Sequence, residues 1–478
     1  MDVLNVQVAI IGAGTAGMSA YRAARQHTDS IVVIESGNYG TTCARVGCMP
    51  SKLLIAAAEV NHQVEQAGSF GIEVSASRVD GDKVMQRVRS ERDRFVGFVE
   101  EAVDNWPDEH KLLGEAVFTG PSTLQVGDHT EVKAERIVIA AGSRPAVPPP
   151  WYELGDRLLI NDDVFDWQSL PKSIAVVGTG VIGMELSQAL SRLGVKTCLL
   201  GMGNQFGPIT DPMVNAQVGR ALAREMTLSA DAMVETVRRT ESGVEVIYSE
   251  NGKQNSIEVE YLLAATGRRS NIDRLQLDKT GLKLDAFGIP DFDLATGQVA
   301  DSTIFIAGDV SNAHPLLHEA ADDGRIAGDN AGRYPEVRVR PRRAPLSIVF
   351  TDPQIMMTGA NYRDLAAAGA AFAVGQVSFE DQGRSRVIGK NAGILRVYGE
   401  QGSGKFLGAE MFGPAAEHIG HLLAWSVQQN LTVQQMLDSP FYHPVIEEGV
   451  RTALRALHSE LKMGPVPVER CLDCGPGA

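Results

Sequence analysis

VQVAIIGAGTAGMSAYRAARQHTDSIVVIESG, residues 6–37, reads as an apolar strand, a glycine-rich turn, an alanine-rich helix and a second apolar strand. The same design returns in KSIAVVGTGVIGMELSQALSRLGVKTCLLGMG, residues 172–203. Each is a βαβ unit carrying GxGxxG, as Gly12, Gly14 and Gly17 in the first and Gly178, Gly180 and Gly183 in the second. The first two glycines let the backbone turn tightly and approach a pyrophosphate, and the third lets helix and strand pack closely. Phosphates then sit at the positive end of the helix dipole. One such motif is weak evidence, but two copies, each between a strand and a helix, predict two dinucleotide sites. Glu35, at the end of the strand after the first motif, can accept hydrogen bonds from a ribose hydroxyl. Gly201 stands at the matching offset in the second copy, with no acid there and no arginine nearby.

Outward from these units, the chain has 478 residues, and 44 Lys+Arg against 59 Asp+Glu leaves a net charge of −15. That length suits two to four domains. With 44% hydrophobic and 22% charged residues, the composition fits a globular protein with a substantial core and excludes a disordered or collagenous chain. The acidic balance gives no support for nucleic-acid binding. No run approaches the roughly 18 apolar residues of a membrane helix, and the N-terminus lacks a basic signal-peptide region. A cytoplasmic location with no membrane association is therefore expected.

Three further strands end in glycine. ERIVIAAGSRPAVPPP (135–150) reads as a domain exit, YLLAATGRRSN (261–271) repeats its strand-then-Gly-Arg form, and TIFIAGDV (303–310) ends in Gly308-Asp309. Past VRVRPRRAP (337–345) the pattern changes to strands followed by helices, a separate C-terminal domain. The last residues hold Pro and Gly without periodicity and read as a flexible tail.

Five cysteines are too few for a disulfide scaffold. Cys43 and Cys48 lie in GTTCARVGCMPSK (40–52), Cys471 and Cys474 near the C-terminus, and Cys198 stands alone as a small core residue. An undistorted helix would hold residues five apart at about 7.5 Å along its axis, beyond disulfide reach. A Cys43–Cys48 bond thus requires an irregular helix start, and a strained, accessible disulfide is a reactive one. Zinc, the competing use of paired cysteines, would want two further ligands. No matching Cys/His pair is present in the body of the chain, so no metal site is expected.

GAGTAG with Glu35, CxxxxC with PSK, IAAGSRP, GTGVIGME, ATGRRSN, IAGD and a late His-Pro with Glu together resemble the pyridine nucleotide–disulfide oxidoreductases, over roughly residues 5–460. The resemblance implies an α/β fold with two Rossmann-like domains and a C-terminal α+β dimerisation domain. An FAD domain would comprise 1–150 and 270–345, an NAD domain 151–269 and the dimerisation domain 346–462, with a CxxC tail over 463–478. FAD would be held by Gly12, Gly14, Ala16, Gly17, Glu35, Ser36, Thr42, Lys52, Gly114, Ala141, Gly142, Asp309 and Leu317. NAD would be held by Gly178, Gly180, Val181, Ile182, Gly183, Glu185, Gly201 and Gly267, with NADP left open. The resemblance makes Cys48 the thiol beside the flavin and Cys43 the interchange thiol. Lys52 would lie near the flavin and pair with Glu185, and Asp309 would accept from the ribityl chain.

The same resemblance makes His443 the acid–base group, oriented by Glu448 rather than Glu447, and brings this dyad to the active site of the partner subunit of a homodimer. Histidine titrates in the range that thiol–disulfide exchange requires. Val181, and a dyad that mercuric reductases do not use, point to the lipoamide branch. The expected reaction oxidises dihydrolipoyl groups through Cys43–Cys48 and FAD and passes hydride to NAD⁺. The partner would be the lipoylated domain of a 2-oxoacid dehydrogenase or glycine-cleavage complex. The alternative is an NAD(P)H-dependent reductase of another disulfide or a metal ion, with Cys471 and Cys474 as an electron relay. That pair could equally be incidental or pick up metal. Two departures stand out: Gly40-Thr41-Thr42 replaces the usual Gly-Gly-Thr, and Arg45 replaces the usual asparagine.

Overall fold

The computed structural model describes residues 2–75 and 77–462; Cys471, Cys474 and the expected tail lie outside the described residues. The chain divides into two compact units. Unit 1 takes Met1–Leu53, Gln86–Ala146 and Gly267–Arg342, and unit 2 takes Leu54–Met85, Val147–Thr266 and the chain from Arg343 onward.

Unit 1 is built on β1 (Asp2–Ile11), α1 (Thr15–Ala24) and β2 (Ile31–Glu35), followed by the short α2 (Thr42–Val46), the start of α3 (Cys48–Gln66), and β3 (Thr130–Ile139). Its seven-stranded sheet runs Lys111–Leu113, β2, β1, β3, Thr123–Val126, Ala116–Gly120, with Ile304–Ile306 pairing β3 on the same sheet. β1 is parallel to β2 (Val8 opposite Ile31) and to β3 (Ile11 opposite Ile139). Strands covered on both faces read as unbroken apolar runs, and alternation divides their side chains. Ile11, Ile34 and Ile139 enter one core, while Ile10, Val33 and Val138 enter another with α1 and the helix Leu317–Arg333. That helix lies close on α1 because Gly324 and Gly328 have no Cβ; one added at either would overlap the Ala16 or Ala20 carbonyl oxygen.

The second βαβ unit opens the sheet of unit 2 as β4 (Ser173–Val177), α4 (Val181–Arg192) and β5 (Lys196–Leu200). All pairs in this sheet are parallel, in the order Thr227–Ser229, β5, β4, Tyr261–Ala264, Leu158–Leu159. An antiparallel sheet follows over Met233–Arg239, Val244–Glu250 and Lys253–Val259. A five-stranded antiparallel sheet begins at Leu346–Val349 and packs against Ala416–Gln428 and α5 (Glu448–Glu460). Glu410 of that sheet is fully buried and accepts from Thr210 N (2.6 Å), Asp211 N (2.8 Å) and Tyr362 N (2.9 Å), which ties the C-terminal sheet to the 147–266 segment. A buried carboxylate is tolerated because those donors satisfy it. Among the described residues no helix is long and apolar enough to cross a membrane.

Candidate active site

The carboxyl ends of β1, β2 and β3 open into a cavity of about 330 Å³ within unit 1. Eight of the residues expected to hold FAD line it: Gly12, Gly14, Glu35, Ser36, Thr42, Gly114, Ala141 and Gly142. Gly12 has φ +104°, and a Cβ there would overlap the Ala140 carbonyl oxygen; a Cβ on Gly17 would overlap Gly12 O. A Cβ on Gly14 or Gly142 would meet no protein atom within 4 Å and would project into open space. The turn is thus closed on its protein side and bare where a phosphate would rest, and the donor set fits FAD. The Glu35 carboxylate is fixed by Ala13 N (2.8 Å) and Gly37 N (3.0 Å).

The other expected FAD residues sit off the cavity lining. Ala16 is buried in α1 beneath Gly324. Asp309 Oδ2 accepts from Ser143 Oγ at 2.9 Å, Leu317 is the exposed first residue of its helix, and Lys52 lies in α3 beside Ser51 (3.4 Å). Asn271, Arg274 and Ser143 line the cavity without having been expected. The two Gly-Arg strand ends that bear them are in fact one ribbon, Ser143–Pro145 antiparallel to Arg268–Ser270, closed by Arg144 on Asp273 (2.7 Å).

The cysteine pair sits where a helix is interrupted. Thr41 caps α2 by accepting from Ala44 N at 3.1 Å, a reason for threonine where the family has glycine. Gly47 (φ −125°, ψ −118°) then breaks the helix between α2 and α3. The break brings the Cys43 and Cys48 side chains into hydrogen-bond contact. That hydrogen bond from Cys48, with burial, pushes the Cys43 thiol well above its ordinary range. A thiol so held needs a base before it can act as a nucleophile. Arg45 is engaged by Glu100 (3.0 Å) and the Tyr39 carbonyl (3.1 Å), so its charge is neutralised within unit 1.

In unit 2 the second glycine turn repeats the first. A Cβ on Gly178 would overlap Ala265 O, one on Gly183 would overlap Gly178 O, and Gly180 faces open space. Val181 and Ile182 start α4, half-buried, and buried Glu185 accepts from Phe350 N at 2.9 Å. Gly201 differs from its counterpart: a Cβ there would lie 2.5 Å from Thr179 Cγ2 and 2.6 Å from Thr179 Oγ1. Gly267 belongs to unit 1, where its carbonyl accepts from Ala146 N at 2.9 Å.

Near the C-terminus, His443 Nδ1 faces both Glu448 oxygens at 3.1 Å. Glu448 is 3% exposed and is also bonded by Val445 N (3.2 Å) and Arg451 Nη2 (3.1 Å). The imidazole itself is 70% exposed. With Nδ1 facing the carboxylate, Nε2 is the ring nitrogen presented for proton exchange. Arg451, which sequence reading missed, stands at i+3 from Glu448 on α5.

Two glycine cradles of this kind, with paired thiols in the unit that bears the first, define a dinucleotide-dependent thiol oxidoreductase. The pyridine nucleotide-disulphide oxidoreductase family model matches residues 6–324 and the family's dimerisation domain matches 346–454, and the chain belongs to this family. It is 27% identical over 449 residues to the dihydrolipoyl dehydrogenase of Geobacillus stearothermophilus (93% of this chain, 94% of the relative). It is 29% identical over 459 residues to that of Halobacterium salinarum (93% and 95%). In fold it is similar to LpdA of Mycobacterium tuberculosis, with a TM-score of 0.81 at 23% identity, covering 94% of this chain and 99% of the other. The HOCl-induced flavoprotein disulfide reductase RclA of Escherichia coli has a TM-score of 0.79 at 23% identity, covering 95% of this chain and 100% of the other. The protein is an FAD- and NAD-dependent disulfide oxidoreductase, and its dimerisation domain makes it a homodimer.

Proposed function

We propose that this protein is a dihydrolipoyl dehydrogenase, oxidising dihydrolipoyl groups with NAD⁺ as the acceptor. The reading is carried by the His443–Glu448 pair, a base held at 3.1 Å in a fixed tautomer, in a chain that also has a thiol pair in need of one. The relatives of similar length from Geobacillus stearothermophilus and Halobacterium salinarum are dihydrolipoyl dehydrogenases, which supports the substrate.

In the oxidised enzyme, a lipoyl thiolate attacks Cys43 Sγ, and Cys48 leaves as a thiolate. The second lipoyl thiol displaces Cys43 from the mixed disulfide, so that one disulfide forms as the other breaks. Two electrons stay with Cys43 and Cys48. His443 accepts the proton from the attacking thiol and returns one to the Cys43 thiolate as it leaves. The dyad of each subunit would serve the thiols of the other, in keeping with its exposed imidazole. FAD, when bound along Gly12, Gly14, Glu35, Ser36, Thr42, Gly114, Ala141 and Gly142, supplies electron transfer from the thiols to the nicotinamide ring. Ala16, Gly17, Asp309 and Leu317 would support that site, and Lys52 would place an ammonium near it. Residues 1–150 and 270–345 would form the FAD domain, 151–269 the NAD domain and 346–462 the dimer domain. NAD would rest on Gly178, Gly180, Val181, Ile182 and Gly183. The electron donor would be a lipoylated domain of a 2-oxoacid dehydrogenase or glycine-cleavage complex in the cytoplasm.

Oxidation of dihydrolipoamide by the FAD-loaded protein, with NAD⁺ and separately NADP⁺, tests this. Rapid turnover that is lost in Cys43→Ser is expected. Negligible turnover, with NADH still reducing the flavin, would refute the lipoamide assignment.

A further inference from the structure

The two βαβ units share a backbone plan but place their bulk at opposite ends of one contact. In the first unit, Ala13 between the first two glycines leaves room for Glu35, whose carboxylate reaches the Ala13 N–H at 2.8 Å. In the second unit, Thr179 takes the position of Ala13, and Gly201 takes that of Glu35. Thr179 is 7% exposed, and its Oγ1 donates to the Gln205 carbonyl at 2.6 Å. Its own carbonyl accepts from Gly207 N at 2.9 Å, so Thr179 anchors the Gly201–Gly207 loop twice. A Cβ on Gly201 would fall 2.5 Å from Thr179 Cγ2, 2.6 Å from Oγ1 and 3.1 Å from Ala230 O. A β-branched side chain pinned by a hydrogen bond does not swing aside cheaply.

We infer that Thr179 sets the coenzyme selectivity of this protein: by filling the space that a side chain at position 201 would need, it keeps a ribose-clamping carboxylate from that position of the second site. The inference rests on the reading of this βαβ unit as the nicotinamide-nucleotide site. The Gly201–Gly207 loop itself carries no acid to repel a 2′-phosphate and no lysine or arginine to attract one, and the Asp231 carboxylate beside it is engaged by the Gly203 N–H at 2.8 Å. Selectivity between the two nucleotides is therefore low, and it can be installed only by changing positions 179 and 201 together.

Calorimetric titration of the FAD-loaded protein with ADP-ribose and with 2′-phospho-ADP-ribose tests this without any hydride transfer. The wild type should bind the two within about five-fold, whereas Thr179→Ala/Gly201→Glu should favour ADP-ribose by about ten-fold or more, a gap of about 1.4 kcal/mol. Thr179→Ala alone should keep the wild-type ratio, and Gly201→Glu alone should gain no preference while melting at lower temperature. Flavin content and melting curves establish that each variant is folded. A wild type that discriminates by about fifty-fold or more overturns the inference. So does a Gly201→Glu single variant as selective as the double, or a folded double variant with the wild-type ratio. Binding of neither fragment by any folded variant would instead sink the nucleotide-site reading, and the inference with it.

Discussion

Replacing Glu448 with glutamine changes one oxygen for an NH₂ group, and the surroundings accept it in neither orientation. Oε1 faces Arg451 Nη2 at 3.1 Å and Oε2 faces Val445 N at 3.2 Å, so an amide nitrogen on either side meets a donor. It also meets His443 Nδ1, at 3.1 Å from both positions, and can donate there only if the imidazole moves its proton to Nε2. The substitution thus leaves a buried guanidinium without its carboxylate and removes the negative charge that stabilises the imidazolium formed when Nε2 takes a proton. Breaking a buried, hydrogen-bonded charge pair costs about 2–4 kcal/mol. Losing a positioned base costs about 10²–10⁴ in rate. Two measurements check this: the urea midpoint of the purified variant, and stopped-flow reduction of the oxidised enzyme by dihydrolipoamide across pH. Reduction of the flavin by NADH, which does not call on this base, should stay near the wild-type rate. A Glu448→Gln protein with an unchanged urea midpoint and dithiol reduction within about three-fold of wild type would refute the reasoning, since neither loss would then exist.

Other expectations follow from packing and ionisation. Gly14→Ala places its methyl in open space, so the protein should fold with an unchanged melting curve but retain less FAD on dialysis; Gly17→Ala overlaps the Gly12 carbonyl and should yield little folded protein. Burial works against the Asp329 carboxylate, but hydrogen bonds from Arg333, Arg340 and His27 outweigh it and hold the group well below the usual carboxylate range. Its folded value lies below its unfolded one, so the stabilisation is present above about pH 4 and is lost as pH falls further. Asp329→Asn should therefore lower stability by about 1–3 kcal/mol at pH 7, with the gap from wild type shrinking in urea titrations below pH 4. Burial, with a smaller push from Glu250, raises the Cys198 thiol to about 12. Iodoacetamide at pH 8 should label the exposed Cys48 in the native reduced protein and reach Cys198 only after denaturation, as peptide mapping by mass spectrometry would reveal.

The two βαβ units were legible because a parallel strand covered on both faces writes itself as an uninterrupted apolar run. Residues 6–37 hold the end of β1, all of α1 and all of β2, with glycines where the backbone has no room for a Cβ. The break between Cys43 and Cys48 followed from the geometry of a helix, and Gly47 is the residue that makes it. Less was readable where partners come from distant chain. Asn271 and Arg274 reach the cavity of Gly12 from more than 250 residues away, and the repeated Gly-Arg ends, the first of which read as a domain exit, are the two strands of one ribbon. Gly324 and Gly328 lie in an ordinary helical stretch whose need for glycine exists only once α1 is laid against it. Arg451 reads as one more charge on an amphipathic helix, and only the burial of Glu448 makes it a partner.

The exchange of bulk between positions 179 and 201 also constrains the order in which such a pair of turns can diverge. If both βαβ units descend from one duplicated ancestor with a small residue in the turn and an acid at the strand end, the two changes are not free to occur in either sequence. Threonine arriving first would collide with the acid's Cβ, as the 2.5 Å approach to Gly201 shows. Glycine arriving first leaves only a gap, which a later threonine fills. The route from a carboxylate clamp to the present arrangement therefore passes through the hollow intermediate, and the route back must empty position 179 before an acid can return.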